Sequence, residues 1–380
     1  MRRRHCLLAV AIVLFVSSAA SASAAPEVSA DAAVLMEWST GTLLYGKNAH
    51  QPRHPASLTK LVTALVAVDC SLPDEIVVVS PKAVRVEGSS AYLKPLHRYT
   101  MEDLLYGLLV SSGNDAALAI AEHIGGSVAE FAALMTEKAR SYGALNSRFS
   151  NPHGLTAQGH YTSAHDVAVF LIHALDHPLL ARIMATKTVR IEDLESGEGP
   201  RLRNTNKLLW TYMGSEGGKT GTTSAAGKCL AAAATRDGMT LIAVVMHSSA
   251  RWEDTASLLD WGFEHYRTVR VVSAGQMVRT IPVKGGVSPR VTLVAQSDLN
   301  LVVRQQDVSR IAYKESELEE VSAPVRAGQP CGWVEAYLDE ELLGRAVLVS
   351  SVDVPRKTLW TEIVRLAERL RAIITGGSDS

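Results

Sequence analysis

The sequence predicts an α+β domain built on one antiparallel sheet, followed by a small all-β domain. Strand-like apolar runs lie near both ends of residues 26–268, and helical periodicity fills the stretch between them. From residue 269 to residue 354 the chain changes to many short β-rich runs broken by Gly and Pro. Strands at both ends of a helical middle favour a single sheet with helices packed on it and a helical subdomain. With 380 residues, 47% of them hydrophobic, the chain is long enough for two cores.

The first 25 residues have the pattern of a secretory signal peptide. Arg2, Arg3 and Arg4 form a basic start, and the apolar run that follows them is too short to span a bilayer. Small residues around Ala24 and Ala25 suit a signal peptidase. We therefore expect an exported protein that works at the outer face of the cytoplasmic membrane, in the cell wall or in the periplasm.

The elements of the first domain follow from local patterns. A hairpin is predicted in residues 33–47, with its turn at Ser39-Thr40-Gly41, where glycine gives the backbone freedom that a hairpin needs. Behind Pro55, apolar residues at helical spacing predict a helix over residues 57–68 that is buried on most faces. Helices are also predicted at 101–110, 115–124, 128–142 and 164–175, and a second hairpin joins strands 230–234 and 240–247.

The last 26 residues, 355–380, have the pattern of an amphipathic helix. An apolar stripe runs through the segment, and Glu and Arg side chains occupy the other positions. Such a helix does not span a membrane, but it can lie in the interface of the outer leaflet. We therefore expect this tail to bind the membrane surface; the stripe consists of Leu359, Ile363, Leu366, Leu370 and Ile373.

Composition excludes several classes of function. Lys plus Arg total 38 against 39 for Asp plus Glu, a formal net charge of −1, so no nucleic-acid partner is expected. The four cysteines include no CxxC pair, which argues against a disulfide framework or a zinc site. His160 and His165 lack the i, i+4 partner and the acid of a zinc-binding helix. We expect neither a metal nor a cofactor.

The string Ser57-Leu58-Thr59-Lys60 places a hydroxyl and an amine three residues apart, so on a helix they share a face. A serine hydroxyl needs a neighbour to take its proton, and Lys60 is the only candidate within one turn. Deprotonating an unperturbed lysine at pH 7 costs about 4.6 kcal/mol, and lowering its pKa to about 8 reduces this to about 1.4 kcal/mol. Burial beside a second cation would lower the pKa in this way, so Ser57 and Lys60 are a candidate nucleophile and base.

Two further strings offer groups to the same cleft. Ser112-Gly113-Asn114 lies between two predicted helices, in a loop that presents a hydroxyl and an amide. Lys219-Thr220-Gly221 precedes a probable strand, so Lys219 and Thr220 can line a sheet edge where Gly221 leaves room for the backbone of a ligand. Each string alone is weak evidence for a function. All three occur in the order SxxK, SxN, KTG, and each is in the local structure that its role requires.

This set of motifs resembles the low-molecular-weight penicillin-binding proteins that act as serine-type D-alanyl-D-alanine carboxypeptidases. The similarity extends from about residue 34 to about residue 354. It implies a β-lactamase/transpeptidase-like fold with a β-rich accessory domain. Beyond the three motifs it rests on residues 55–61, Asn151-Pro152-His153-Gly154-Leu155, residues 218–230 and residues 259–263.

The resemblance implies a mechanism. Ser57 would attack the penultimate D-alanine of a peptidoglycan stem peptide ending in D-Ala-D-Ala, with Lys60 as the base, and water would cleave the acyl-enzyme. β-Lactam antibiotics would acylate the same serine. Ser112 would relay a proton to the leaving amine, and Asn114 would bind the substrate amide and orient Lys60.

The resemblance also assigns the substrate contacts. Lys219 and Thr220 would meet the terminal carboxylate, and the backbone N–H groups of Ser57 and Thr222 would form the oxyanion hole. Arg251 matches a position where the family places an arginine for the same carboxylate; the alternative is a solvated loop arginine.

Two departures and three alternatives remain. Many family members carry Asn-Arg-Asn before KTG, but here Thr205 replaces the arginine, and Thr222 stands where some relatives have histidine. A class A β-lactamase requires a glutamate where this chain has Tyr142 or Gln296. A DD-endopeptidase that cuts cross-links uses the same motifs and is the main alternative. A catalytically silent wall-binding scaffold would show decayed motifs, and these are intact.

Overall fold

The computed structural model describes residues 25–360 and residue 363. The predicted signal segment lies outside the described residues apart from Ala25, and the predicted tail helix lies outside them beyond Trp360 apart from Ile363. Within this part the α-helices are α1 (Lys60–Cys70), α2 (Met101–Leu109), α3 (Asn114–Gly125), α4 (Val128–Ser141), α5 (Ala164–Asp176), α6 (Pro178–Ala185), α7 (Leu208–Thr211) and α8 (Arg251–His265), with 3-10 helices at Ala56–Thr59, Ala83–Arg85 and Gln305–Arg310.

The strands divide between the two predicted regions of the chain. Those before α8 are β1 (Ala32–Glu37), β2 (Leu43–Lys47), β3 (Ile76–Val78), β4 (Arg98–Thr100), β5 (Thr188–Arg190), β6 (Arg201–Arg203), β7 (Ser215–Thr223), β8 (Gly227–Arg236) and β9 (Met239–Ser248). Those after it are β10 (Tyr266–Val272), β11 (Met277–Lys284), β12 (Arg290–Ala295), β13 (Leu299–Arg304), β14 (Ile311–Glu315), β15 (Val321–Ser322), β16 (Pro330–Leu338) and β17 (Glu341–Ser350).

A five-stranded antiparallel sheet in the order β2-β1-β9-β8-β7 forms the centre of the first region. Both predicted hairpins are present, β1–β2 and β8–β9. The first turn is closed by Glu37, whose carboxylate accepts hydrogen bonds from Ser39 Oγ at 2.9 Å and from Thr40 N at 2.9 Å. Gly41 takes the positive φ of 67° that this turn requires.

Helices cover both faces of this sheet, which is why every residue of β1 is buried. Ala32, Val34 and Met36 belong to the larger core, together with apolar residues of α1 to α6. Ala33 and Leu35 belong to a second core with residues of α8. The alternation follows from the two-residue period of a strand, and it sandwiches the sheet between two helical layers.

The region after α8 is a separate β-structure with its own core. Six strands form a sheet in the order β14-β16-β17-β12-β11-β15, and β10 pairs with β13. The predicted fold class, an α+β layer followed by a small all-β unit, is confirmed by this architecture and by the fold comparisons below. No single helix in the described part of the chain has the length and apolar composition of a membrane span; two helix pairs reach them only together, across bends of 89° and 104°.

Candidate active site

The candidate nucleophile, Ser57, lies in a 3-10 turn and not in an α-helix as predicted. The turn comprises Ala56–Thr59, and α1 begins only at Lys60. Ala56, the first residue of the turn, has a positive φ of 48°, an uncommon conformation for a residue with a side chain. Ser57 and Lys60 are nevertheless one turn apart on the same side, as the spacing predicted.

Lys60 is fully buried, and its amine has three neighbours. Asn114 Oδ1 lies 2.6 Å from Lys60 Nζ, the carbonyl oxygen of His153 lies at 3.0 Å, and Ser57 Oγ lies at 3.1 Å. The first two are acceptors only. A neutral amine has two N–H groups and one lone pair, so these acceptors take both N–H groups and leave the lone pair toward the Ser57 hydroxyl.

Electrostatics favour this neutral form. Burial, and secondly the charge of Lys219, lower the pKa of Lys60 well below its ordinary value, and Asp115 opposes the shift. Burial, followed by the charge of Arg251, lowers the pKa of Lys219 to about 7. The second cation that the sequence argument invoked is therefore Lys219.

Ser112 and Asn114 come from the junction of α2 and α3. Ser112 has a positive φ of 63°, and Asn114 is the first residue of α3. Ser112 Oγ accepts a hydrogen bond from Lys219 Nζ at 2.9 Å. The proton of the Ser112 hydroxyl is therefore not used in this contact and remains for another acceptor.

The carboxylate of Asp115, next to Asn114, fastens this junction to the segment before α2. Asp115 is buried and accepts hydrogen bonds from Ser90 Oγ at 2.6 Å, from Ala91 N at 2.8 Å and from Leu93 N at 3.2 Å. Asn114 Nδ2 donates to the carbonyl of Glu87 in the same segment. The orientation of the amide of Asn114 is thus set from both ends.

The Lys219-Thr220-Gly221 string lies inside strand β7, and not before a strand as predicted. Lys219 is fully buried and donates to Ser112 Oγ, while Thr220 Oγ1 lies 2.7 Å from Thr205 Oγ1. A Cβ added at Gly221 would lie 3.0 Å from the backbone nitrogen of Ser57. Gly221 therefore permits the close approach of β7 to the nucleophile turn.

Arg251 is the first residue of α8 and not a loop residue. Its Nη1 donates to the carbonyl of Gly221 at 3.1 Å and to Thr222 Oγ1 at 3.0 Å. The guanidinium also lies over the ring of Trp252, 4.7 Å from the ring centroid. The structure thus places Arg251 beside the end of the KTG string, and its predicted contact with a substrate carboxylate stays a prediction.

The structure brings the three strings into one site. Ser57, Lys60 and Asn114 form one hydrogen-bonded group, and Ser112 with Lys219 forms a second. Strand β7 connects the groups because it carries Lys219 and also contacts the nucleophile turn through Gly221. A serine hydroxyl beside a buried amine, with a second hydroxyl and a second amine close by, is an arrangement that suits acyl transfer.

Sequence reasoning missed two supporting residues, His160 and Asp115. His160 is buried, with Nε2 2.9 Å from Thr59 Oγ1. Asp115 follows the SxN string directly, so its position was a usable signal, whereas His160 is 103 residues from Ser57 and offered none. His153 lies in a turn, where its Nδ1 accepts a hydrogen bond from Leu155 N at 3.2 Å. Within residues 25–360, no group of three or more His, Cys, Asp or Glu side chains is arranged to hold a metal.

The chain matches two protein-family profiles. The profile of the Peptidase S11 family, described as D-alanyl-D-alanine carboxypeptidase, matches residues 19–250. The profile of the C-terminal domain of penicillin-binding protein 5 matches residues 266–356. Together they span both regions of the structure.

Relatives and solved structures agree with these matches. D-alanyl-D-alanine carboxypeptidase DacF of Bacillus subtilis is 32% identical over 345 residues, covering 88% of each chain. D-alanyl-D-alanine carboxypeptidase DacD of Escherichia coli is 34% identical over 390 residues, covering 96% of this chain and 98% of its own. The crystal structure of penicillin binding protein 5 from Haemophilus influenzae superposes with a TM-score of 0.75 at 31% identity, covering 88% of this chain and 99% of its own. On this similarity the chain belongs to the Peptidase S11 family of D-alanyl-D-alanine carboxypeptidases.

Proposed function

We propose that this chain is a serine-type DD-carboxypeptidase that removes the terminal D-alanine from peptidoglycan stem peptides and is inhibited by β-lactams. Membership of the carboxypeptidase family supports the reaction. The observation that carries the assignment of residues is the arrangement around Lys60, whose two acceptor partners leave its lone pair for Ser57.

In the first step Ser57 Oγ attacks the carbonyl carbon of the penultimate D-alanine while Lys60 takes the hydroxyl proton. The peptide bond breaks, terminal D-alanine leaves as an amine, and an ester to Ser57 remains. Ser112 delivers the proton that the leaving amine requires, which is consistent with a hydroxyl that accepts from Lys219 and has its own proton free. Water then hydrolyses the ester.

We assign the substrate contacts from the position of Lys219, the second cation of the site. Lys219 and Thr220 bind the terminal carboxylate, and Arg251 adds positive charge at the end of the same strand. Asn114 holds the substrate amide while its Oδ1 orients Lys60. The N–H groups of Ser57 and Thr222 form the oxyanion hole; losing one such donor typically lowers the turnover number by about 10²–10³-fold.

Location is the second part of the proposal. We infer that residues 1–25 direct export and are removed, and that residues 355–380 hold the enzyme at the outer face of the cytoplasmic membrane. Leu359, Trp360 and Ile363 are exposed and share one side at helical spacing, which supports the second inference. Residues 26–268 would be the catalytic domain and residues 269–354 the accessory β-domain.

Two substrates test the reaction. The mature protein, from residue 26 on, is incubated with a pentapeptide stem ending in D-Ala-D-Ala and, separately, with cross-linked dimers. We expect released D-alanine from the pentapeptide and few new monomers from the dimers. New monomers without D-alanine would establish the DD-endopeptidase instead, and no product from either would favour the scaffold.

Fluorescent penicillin tests the nucleophile. We expect covalent labelling of the parent, and no labelling of Ser57→Ala. D-Alanine release by this variant should fall by at least about 10³-fold, because the other groups retain only residual catalysis. A circular dichroism spectrum and melting temperature near those of the parent show that the variant is folded. Labelling that persists in Ser57→Ala would refute the assignment.

A further inference from the structure

We propose that His160 is a positioning residue for acyl transfer: through Thr59 and the carbonyl of Ala56, it aims the backbone N–H of Ser57 at the oxyanion. Thr59 Oγ1 lies 2.9 Å from His160 Nε2 and 2.9 Å from the carbonyl oxygen of Ala56. This inference rests on the proposed function, in which Ser57 is the nucleophile and its N–H binds the oxyanion.

The hydrogen bonds form a series that leads from Ser150 through His160 and Thr59 to Ala56. The direction of each one is determined by the groups themselves. His160 Nδ1 lies 3.0 Å from the backbone N–H of Ser150, which can only donate, so Nδ1 is the acceptor. In a neutral ring the proton is therefore on Nε2, and His160 donates to Thr59 Oγ1. The hydroxyl of Thr59 then has its single proton for the carbonyl of Ala56.

The ring is neutral under ordinary conditions. His160 is 1% exposed, and burial, with a smaller contribution from His54, lowers its pKa to about 4. A second proton would have to be on Nδ1, where it would face the N–H of Ser150. Ser150 therefore always donates to His160, and His160 always donates to Thr59.

The series of hydrogen bonds ends at the peptide group that joins Ala56 to Ser57. The carbonyl of Ala56 and the N–H of Ser57 belong to one planar trans peptide, so they point in opposite directions. A hydrogen bond that fixes the carbonyl fixes the N–H as well. It also polarises the peptide, and linked donors strengthen one another in a low-dielectric interior.

The turn needs this support because its conformation is strained. Ala56 has a φ of 48°, which a non-glycine residue holds only when its surroundings enforce it. The carbonyl of Ala56 is also closely packed: a Cβ added at Gly154 would lie 1.8 Å from its oxygen and 2.8 Å from Thr59 Oγ1. Gly154 and Thr59 together hold the carbonyl where His160 can act on it.

The test compares variants that break the chain with variants that keep it. His160→Leu and Thr59→Val each remove a link, while His160→Gln and Thr59→Ser each keep a donor. Acylation by penicillin is followed as a function of its concentration, which separates the noncovalent dissociation constant from the acylation rate constant. We expect the breaking variants to lose about tenfold or more in the rate constant, with the dissociation constant within about twofold.

Thr63→Val is the matched control. Thr63 is a fully buried threonine of α1, one turn after Thr59, and its Oγ1 donates to the carbonyl of Pro152 at 2.6 Å, whereas Thr59 Oγ1 donates to that of Ala56. We expect this variant to lose stability comparably but to acylate within about twofold of the parent. His160→Gln and Thr59→Ser should recover most of the rate. The double variant His160→Leu/Thr59→Val should be no slower than the slower single, because both break one chain.

The outcomes are distinct. A parent that is not acylated overturns the proposed function, and this inference with it. A parent that is acylated, with breaking variants within twofold of it, overturns this inference alone. So does an equal rate loss in Thr63→Val, which would indicate a general effect of destabilisation. If His160→Leu does not fold, the pair Thr59→Val and Thr59→Ser decides the matter by the same criterion.

Discussion

Lys219 and Lys60 are two buried amines whose protonation states are coupled. The charge of Lys219 contributes to lowering the pKa of Lys60, and that of Arg251 contributes to lowering the pKa of Lys219 to about 7. The proposed roles need opposite states, since the base must be neutral and the carboxylate-binding group charged. The coupling favours this assignment, because a proton on Lys219 disfavours one on Lys60.

A pH profile tests this coupling. The second-order rate constant of penicillin acylation should rise with pH as Lys60 loses its proton, and it should fall again as Lys219 loses its own. Replacing Arg251 by Gln removes a positive charge near Lys219, which raises the pKa of Lys219. The falling limb should therefore move to higher pH in Arg251→Gln.

The control for the pH profile is Arg236→Gln. Arg236 is paired with Asp260 and is not among the charges that shift the pKa of Lys219, so its loss should leave both limbs in place. A falling limb that stays unmoved or moves to lower pH in Arg251→Gln would contradict the assignment of that limb to Lys219.

At the residue scale, the sequence predicted the proposed reacting residues, Ser57 and Lys60, but not the residues that position them. Ser57 and Lys60 are three residues apart, so a local rule sufficed. His160 contacts Thr59 across 101 residues, and no local pattern encodes such a contact. The 3-10 turn was also missed, since the φ of Ala56 is imposed by residues from other parts of the chain.

Among the elements, the start of α3 depends most on one side chain. Asp115 accepts hydrogen bonds from Ser90 Oγ, Ala91 N and Leu93 N. The same segment supplies the carbonyl of Glu87 to Asn114. Loosening residues 87–93 should therefore disturb the amide that orients Lys60.

We predict that Asp115→Asn loosens this segment. An amide has one acceptor oxygen, so in either orientation its NH₂ group faces backbone N–H groups of Ala91, Leu93 or Ala116 that the carboxylate now satisfies. The free energy of unfolding should fall by about 1–3 kcal/mol, and acylation should slow. Chemical denaturation measures the first effect, and amide hydrogen exchange of residues 87–93 localises it.

Asp69→Asn is the comparison for Asp115→Asn. Asp69 forms an ion pair with Lys138 at the surface, where such a pair contributes about 1 kcal/mol or less. Unchanged exchange of residues 87–93 in Asp115→Asn would show that the carboxylate does not hold the segment.

Helices with a clear apolar period were predicted within one or two residues of their bounds, as α2 to α5 show. Helices α6 and α8 were not predicted, although both have apolar residues at helical spacing. Leu258, Leu259, Gly262 and Phe263 line the buried side of α8 at helical spacing. The glycine permits the close approach, because a Cβ at Gly262 would meet Leu35 at 2.7 Å.

For the whole molecule, the order of strands lies beyond local patterns. β1 from the beginning of the chain pairs with β9, about 200 residues later, and this pairing places β7 at the sheet edge beside the nucleophile turn. The hairpins were predicted because their partners are adjacent in sequence. The pairing of β1 with β9 was not, because it depends on apolar faces that meet only after the helices pack.

The tail is the last feature that acts at this scale. Arg356 pairs with Gly286, and the backbone N–H of Lys357 donates to the carbonyl of Gly285 at 2.7 Å, so the chain is held by the β-domain up to this point. Beyond it, Leu359 is 87% exposed and Trp360 is 72% exposed. Each large apolar side chain buried in an interface is worth about 1.5–3 kcal/mol, which makes the membrane a favourable partner.

We predict that a mature chain ending at Thr358 moves from the membrane fraction to the soluble fraction. This truncation keeps the contacts of Arg356 and Lys357, so release of D-alanine from a soluble pentapeptide should stay within about twofold of the parent. Full-length protein carrying Trp360→Ser and Ile363→Ser should bind lipid vesicles more weakly in flotation, because it loses apolar area but keeps the charges of the tail. A truncated protein that remains with the membrane would assign the attachment to another part of the chain.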